Sequence, residues 1–253
     1  MRNAGLSVSL VPGRSGFVQL PDWGLILIAV PDGAIADVAA KLAALNPAPG
    51  LSFVHLSGAT TLDALSVLRP CAVGSFHPMQ SFPFPRPPEA FRGITVAVDA
   101  STPALRRRLN ALARRLGAHP KGVDDSQRAA YHAAGVYASN FVTVMLREAV
   151  RLLEGIGWTE DEATKALLPL VDGAVENMRR RGVVKALTGP IRRGDDVTVR
   201  RHLEVVADPD LYRMLASIAL QIAREAGLEP AAAERVKRAL TRKVAATRRR
   251  RRR

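Results

Sequence analysis

The sequence predicts an α/β fold over its first half, a doubly wound parallel sheet, followed by an all-α second half. Three observations carry that reading. Short, continuous apolar runs recur through the first hundred residues, each closed by a glycine- or proline-bearing break and followed by a helical pattern. After residues 119–122 the strand-like runs cease, and apolar residues recur at helical spacing instead. With 253 residues, 47% hydrophobic and 24% charged, the chain is long and apolar enough to bury one large core or two modest ones. The expected organisation is a sheet domain over 1–120, a helical domain over 121–247 and an arginine tail over 248–253.

Each element has a local reason. Leu6–Val11 reads as a short strand stopped by Pro12 and Gly13. Leu25–Val30 is apolar throughout, as a strand buried on both faces is. Pro31-Asp32-Gly33 breaks it, and Ala34–Leu45 follows at helical spacing with Asp32 placed to cap it. Leu51–Leu56 gives a third strand, ended by Ser57-Gly58, and Thr61–Leu68 a short helix leading to a strand near 72–75. Ile94–Val98 is the next strand and Pro103–Leu116 a basic amphipathic helix. Beyond the boundary, helices are expected over 126–154, 160–181, 196–207 and 209–226, with a fifth running from 230 into the arginine tail. Thr159 followed by Glu162 is a capping box, and Asp208-Pro209 places a cap before a first-turn proline. Gly155, Gly182 and Gly227 stand where helix ends favour a left-handed residue.

Charge and cysteine content narrow the function classes. Six of the +14 net charges come from Arg248–Arg253, so the body is only mildly basic. That run is expected to stay solvated and disordered through self-repulsion, and any nucleic-acid partner is expected through it alone. The single cysteine, Cys71, excludes an internal disulfide framework and a multi-cysteine zinc site, and fits a reducing cytoplasm. The longest apolar run, 25–30, is far short of the ~20 residues of a membrane helix, and the N-terminus does not read as a signal peptide, so no membrane partner is expected. Histidines 55, 77, 119, 132 and 202 lack close metal-ligand spacing, so no metal is expected. Walker loops, Gly-x-Ser-x-Gly elbows and paired glycosidase carboxylates are absent.

Three segments combine polar groups with backbone constraint. His77-Pro78-Met79-Gln80-Ser81-Phe82 follows the strand near 72–75, at the carboxyl edge where open α/β sheets bind ligands. Tyr131–Asn140 places His132 and Ser139 seven residues apart, on one face of the expected helix, with Asn140 beside them. Ala186–Asp195 links two helices through a rigid, charged turn that holds Thr188, Arg193 and Asp195. A hydrogen-bonded loop histidine, a solvated helix face and a capping ion-pair cluster are the plain structural alternatives for these three.

Together, six stretches carry a resemblance: Leu27–Asp32, Val54–Ala59, His77–Phe82, Tyr131–Ala134, Ser139-Asn140, and Ala186–Pro190 with Arg193-Gly194-Asp195. In that order they resemble a bacterial family of Rossmann-like oxidoreductases with an uncharacterised helical C-terminal domain. That family belongs with pyrroline-5-carboxylate reductase, ketopantoate reductase and 6-phosphogluconate dehydrogenase. The family begins with a strand and a glycine-rich turn that cradles the dinucleotide pyrophosphate. Here residues 1–5 read as the end of the helix that follows that turn, and Gly13 and Gly16 come after the second strand. NADP binding is therefore expected to be weak or absent if the chain starts at Met1.

The resemblance implies the rest of the site. At the end of the second strand the chain has Arg14 and Ser15 and no acid, which favours the 2′-phosphate of NADP over NAD. Val30, Pro31 and Asp32 with Ser57 and Gly58 would flank the nicotinamide. His77, His132, Ser139 and Asn140 are the candidates for proton transfer; Gln80, Ser81, Thr188, Arg193 and Asp195 are those for substrate binding. Dehydrogenases of the superfamily often place a lysine four residues before the helix asparagine, where this chain has Val136. The expected function is an NADP-dependent oxidoreductase acting on a small carbonyl, imine or hydroxy substrate in the interdomain cleft. It is expected to be a homodimer through the helical domain, because the 126–154 helix has more apolar surface than one small bundle can bury. The alternative is a non-catalytic dimeric binding or scaffold protein that keeps the fold and binds nucleotide weakly or not at all.

Overall fold

Five strands form one sheet in the computed structural model, which describes residues 8–9 and 19–242. The chain divides into two compact units, Met1–Val142 and Thr143–Arg253. The expected strand at Leu6–Val11 (apart from Val8 and Ser9, which have no regular structure), Arg14 and Ser15, and the tail at 248–253 lie outside the described residues.

In the first unit, β1 (Trp23–Ile28) leads through a 3-10 turn to α1 (Ile35–Ala43), and β2 (Gly50–His55) follows. Asp32 opens that turn and caps nothing; α1 begins behind Ala34 without a side-chain cap. After a 3-10 segment at Leu62–Leu68 come β3 (Ala72–Pro78), β4 (Thr95–Ala100), α2 (Pro103–Arg115) and β5 (His119–Gly122). The strands lie side by side in chain order. Three of the four pairings are parallel, as the apolar runs predict, but β3 and β4 run antiparallel. Residues 79–94 turn back at the same edge, with Met79 N–H donating to the Thr95 carbonyl, so no crossover helix is needed there. β5 lies where the sequence reading ends the sheet; Pro120 is tolerated because this strand is at the edge.

Strand alternation sends side chains to two cores. On one face Leu51, Phe53 and Val73 pack against Ile35, Ala39 and Leu42 of α1 and against Leu65 and Leu68. On the other, Val54, Phe76, Val96 and Val98 pack against Leu105, Leu109 and Ala113 of α2. A Cβ at Gly74 would sit 2.7 Å from the Asp99 carbonyl and 3.3 Å from two leucines of α2, so glycine permits that close packing.

The helix expected over 126–154 is two helices, α3 (Arg128–Ala138) and α4 (Asn140–Glu154). Ser139 breaks it at φ −128° and ψ −67°. Its hydroxyl donates 2.8 Å to the Gly135 carbonyl one turn back, a bond that bends helices. In the second unit, α5 (Glu160–Arg181) starts at the Thr159–Glu162 capping box, which forms as expected, and α6 (Val183–Ala186) follows Gly182. The turn expected at 186–195 contains a short helix, α7 (Gly189–Arg193), closed by left-handed Gly194. Then α8 (Asp196–Val205), α9 (Pro209–Glu225) and α10 (Pro230–Thr241) pack through Val199, Leu203, Leu220, Val236 and Leu240. Asp208 caps α9 by accepting from Asp210 and Leu211 N–H.

Candidate active site

Register aligns a polar row across the first unit. Ile28 pairs with His55, His55 with Ser75, and Ser75 with Asp99, so the four side chains point to the same face of the sheet. His55, Ser75 and Asp99 are buried there, beyond the apolar core beneath α1. Arg128, only 2% exposed, enters from the start of α3 and ties the row together. Its Nη2 donates to Ser75 Oγ at 2.8 Å and to Asp99 Oδ2 at 3.4 Å, and its Nε to Asp125 Oδ1 at 2.5 Å. Asp99 also accepts from Arg106 of α2 at 3.0 Å, and Asp125 from Leu62 N–H at 3.1 Å. Two cations thus face two carboxylates, and the cluster fastens α2, α3 and the 62–68 segment to the sheet. Partnered charges of this kind are tolerable under burial because each has compensating bonds.

One turn along α3, Tyr131 meets His77, two residues beyond Ser75 on the same face. The hydroxyl lies 2.8 Å from His77 Nδ1 and 3.4 Å from its carbonyl oxygen, with the two rings edge to face. Burial lowers the His77 pKa from its ordinary value, and the nearby His132 lowers it further. Burial pushes the Tyr131 phenol up to about 12, although Arg128 opposes that. At neutral pH the pair is therefore a neutral imidazole and a protonated phenol. With Tyr131 donating along its shorter contact, Nδ1 is the acceptor and Nε2 carries the ring proton.

His55 is fully buried, and neither ring nitrogen has a partner among the described residues. Burial, then Arg128, lowers its pKa to about 4, while Asp32 and Asp125 act in the opposite sense. The Asp32 carboxylate forms no hydrogen bond or ion pair among the described residues, although its backbone carbonyl accepts from Ile35 N–H.

Gly58 explains how His77 is held. A Cβ there would lie 2.7 Å from His77 Cε1 and 2.9 Å from both ring nitrogens, so the imidazole lies flush against the loop after β2. The loop is fixed by Ser57 Oγ, which accepts from Ala59 N–H at 3.1 Å and Thr60 N–H at 2.9 Å. Gly58→Ala is expected to push the ring towards water and to cost about 1–3 kcal/mol of stability. Histidine NMR titration should then show the His77 pKa rising towards its ordinary value; an unmoved titration would show that the loop does not hold the ring.

The structure distributes the remaining candidates unevenly. His132 adjoins Tyr131 and is exposed, its charge felt at His77. Ser139 and Asn140 do not share one helix face with His132: they form the exposed junction between α3 and α4, bonded to each other at 2.9 Å. Gln80 Oε1 accepts from Ser81 N–H at 2.9 Å, and the Ser81 carbonyl accepts from Arg86 at 3.3 Å, so both stabilise their own loop. Asp195 caps α8, accepting from Thr198 N–H at 3.0 Å and Thr198 Oγ1 at 2.6 Å. Thr188 and Arg193 line a cavity in the second unit. Sequence reading did not assign roles to Arg128, Asp99, Asp125 or Tyr131. The signal available for the row was three polar residues, His55, Ser75 and Asp99, in or beside apolar runs. Among the described residues, no three His, Cys, Asp or Glu side chains form a metal-binding group, and no helix is long and apolar enough to cross a membrane.

A parallel-dominated sheet with helices on both faces, followed by a helical unit, defines a Rossmann-like fold with a helical C-terminal domain. The chain belongs to the family described as a domain of unknown function (DUF2520), whose model matches residues 94–222, just over half of its length. Among solved structures, it is similar to a candidate NADP oxidoreductase from Bacteroides fragilis, with 24% identity, a TM-score of 0.66, and 83% of this chain and 79% of that one covered. It is similar to protein TM1727 from Thermotoga maritima, at 23% identity and a TM-score of 0.68, covering 82% and 81%. Pyrroline carboxylate reductase from Plasmodium falciparum, solved with NADP bound, shares the fold at 10% identity and a TM-score of 0.53, covering 86% and 77%. The comparison with curated proteins gives no match.

Proposed function

We propose that the chain is an NADP-dependent oxidoreductase acting on a small carbonyl, imine or hydroxy substrate. The observation that carries this reading is the His77–Tyr131 pair, 2.8 Å apart, at the carboxyl edge of β3 on a sheet of the nucleotide-binding type. The loops closing β1 and β2 fit the nicotinamide end of the dinucleotide. Ser57-Gly58 offers backbone groups with little side-chain bulk, Val30 and Pro31 close β1, and the Asp32 carboxylate is available to accept from ribose hydroxyls. Arg14 and Ser15, which the reading assigns to the 2′-phosphate, lie outside the described residues. NADPH, when bound, supplies the hydride.

The protein's part is to polarise the substrate and move a proton. In this reading His77 Nε2–H donates to the substrate oxygen or nitrogen, and its proton passes over as negative charge develops there. Nδ1 then takes the proton of Tyr131, and Arg128 favours the resulting phenolate. Tyr131→Phe and His77→Ala are expected to lower kcat by about 10²-fold or more, within the usual range for general acid catalysis, with little change in NADPH affinity. NADPH oxidation assayed with cyclic imines, aldehydes and 2-oxo acids reads both. A His77→Ala protein turning over at the full rate would remove the proposed acid. Absence of NADPH binding in fluorescence titration would favour the scaffold reading.

The same reading includes a homodimer in the cytoplasm. Of the 15 residues of α4 only Val150 is buried, while Val144 and Leu152 are exposed. The 22-residue α5 buries only Ala163 and exposes Leu168, Leu170 and Met178. A second copy covering these faces would remove that apolar surface from water. Cys71, buried as a free thiol, suits a reducing compartment.

A further inference from the structure

The second unit holds a cavity of about 760 Å³ between the end of α5, α6, α7 and the turn joining α9 to α10. That is the size of a metabolite site. Four cationic side chains line it: Arg181, Lys185, Arg192 and Arg193. Arg192 spends one donor on the Ala226 carbonyl, at 2.9 Å. Arg181, Lys185 and Arg193 form no ion pair among the described residues. The one acid among the described residues of the lining, Glu229, is occupied as the cap of α10, accepting from Ala231 N–H at 2.9 Å and Ala232 N–H at 2.8 Å. Asp195, beyond the lining and close enough to Arg193 for its charge to be felt, is likewise committed to Thr198.

A cavity ringed by cations whose neighbouring carboxylates are already engaged is short of negative charge. We propose that it binds a small organic anion carrying at least two negative charges, through phosphate or carboxylate oxygens. Guanidinium groups match both oxyanions in a two-pronged geometry, and Lys185 adds a point charge. Leu187 and Leu228 in the lining give the organic body of such a ligand apolar surface to lie against. Thr188 and Arg193 of this lining are substrate-binding candidates of the oxidoreductase reading, which the proposal extends by naming the ligand chemistry; the cavity shares no residue with the His77–Tyr131 pair, so either can fail alone.

The test is calorimetric titration of the full chain with pyrophosphate, citrate and NADP⁺. Wild type is expected to bind pyrophosphate or citrate, and Arg193→Gln and the double variant Arg181→Gln/Lys185→Gln are each expected to weaken that binding about tenfold or more. All three side chains are exposed, so the variants should keep the wild-type circular dichroism and thermal midpoint. Arg147→Gln, on α4 away from the cavity lining, and His77→Ala should leave the anion affinity unchanged. If NADP⁺ competes with pyrophosphate and loses affinity in the same variants, the bound phosphates are those of the dinucleotide. If NADP⁺ does not compete, the site serves a separate small anion. No binding by wild type, or an equal loss in Arg147→Gln, would overturn the proposal.

Discussion

Replacing Arg128 by methionine is expected to destabilise the sheet unit by about 3–5 kcal/mol, the usual cost of removing one partner from a buried charge cluster. The guanidinium reaches three acceptors on different elements, Ser75 on β3, Asp99 on β4 and Asp125 before α3. Methionine fills much of the volume but leaves Asp99 with Arg106 as its one cation among the described residues and frees Asp125 from α3. Arg128→Lys is not expected to rescue, because one ammonium on a flexible stem cannot serve three acceptors fixed by a planar fork. Urea titration measures the loss, and a double-mutant cycle with Asp99→Asn gives the part due to that pair. Stability of Arg128→Lys within about 0.5 kcal/mol of wild type would show that charge alone suffices. A released α3 would also take Tyr131 out of reach of His77, so the proposed reductase activity should fall further than stability explains.

Mild acid is expected to weaken the same unit, and His55 is the main reason. Its folded pKa is about 4, against about 6.5 for an ordinary histidine. Between those values the unfolded chain takes up a proton that the folded one refuses, so stability falls as pH falls. The contribution is complete above pH 6.5 and gone below about 4, amounting to about 3 kcal/mol at 1.36 kcal/mol per pH unit. His77, lowered in the same direction, adds to the slope. His55→Leu should flatten the dependence of unfolding free energy on pH over that window. It should also leave stability at pH 7 equal or higher, since two unpartnered buried nitrogens are removed. An unchanged slope in the variant would assign the acid sensitivity elsewhere. Greater stability with lower activity would mean that the imidazole is retained for what it does at the site.

Four of the five described strands and most helices were legible because apolar period and caps are local signals. Leu25–Val30 located β1 to within two residues, and the Thr159 capping box located the start of α5. β5 was not legible: His-Pro-Lys-Gly has no strand pattern, and the segment is extended because its backbone pairs with β4. The break at Ser139 was hidden by helical periodicity that continues across it, although Ser-Asn in mid-helix offers the side-chain bonds that cause it. His77 was legible from its place between a strand and a proline. Arg128 was not, because a charged residue on an amphipathic helix ordinarily faces water. Its burial depends on hydroxyl and carboxylate partners up to 53 residues away, which only the sheet register brings together.

The antiparallel return from β3 to β4 bears on how this chain could diversify. A segment that leaves and re-enters a sheet at one edge can lengthen or shorten without moving any strand, and doubling a flexible loop costs only about 0.6 kcal/mol in closure entropy. Residues 79–94 are such a segment, anchored by Pro78 paired with Val96 and carrying Phe84, 66% exposed, beyond His77. Insertions there would change what approaches the imidazole while leaving the Arg128 cluster intact. Under the proposed oxidoreductase function, substrate range would therefore drift in this loop under separate selection from the stability of the scaffold beneath it.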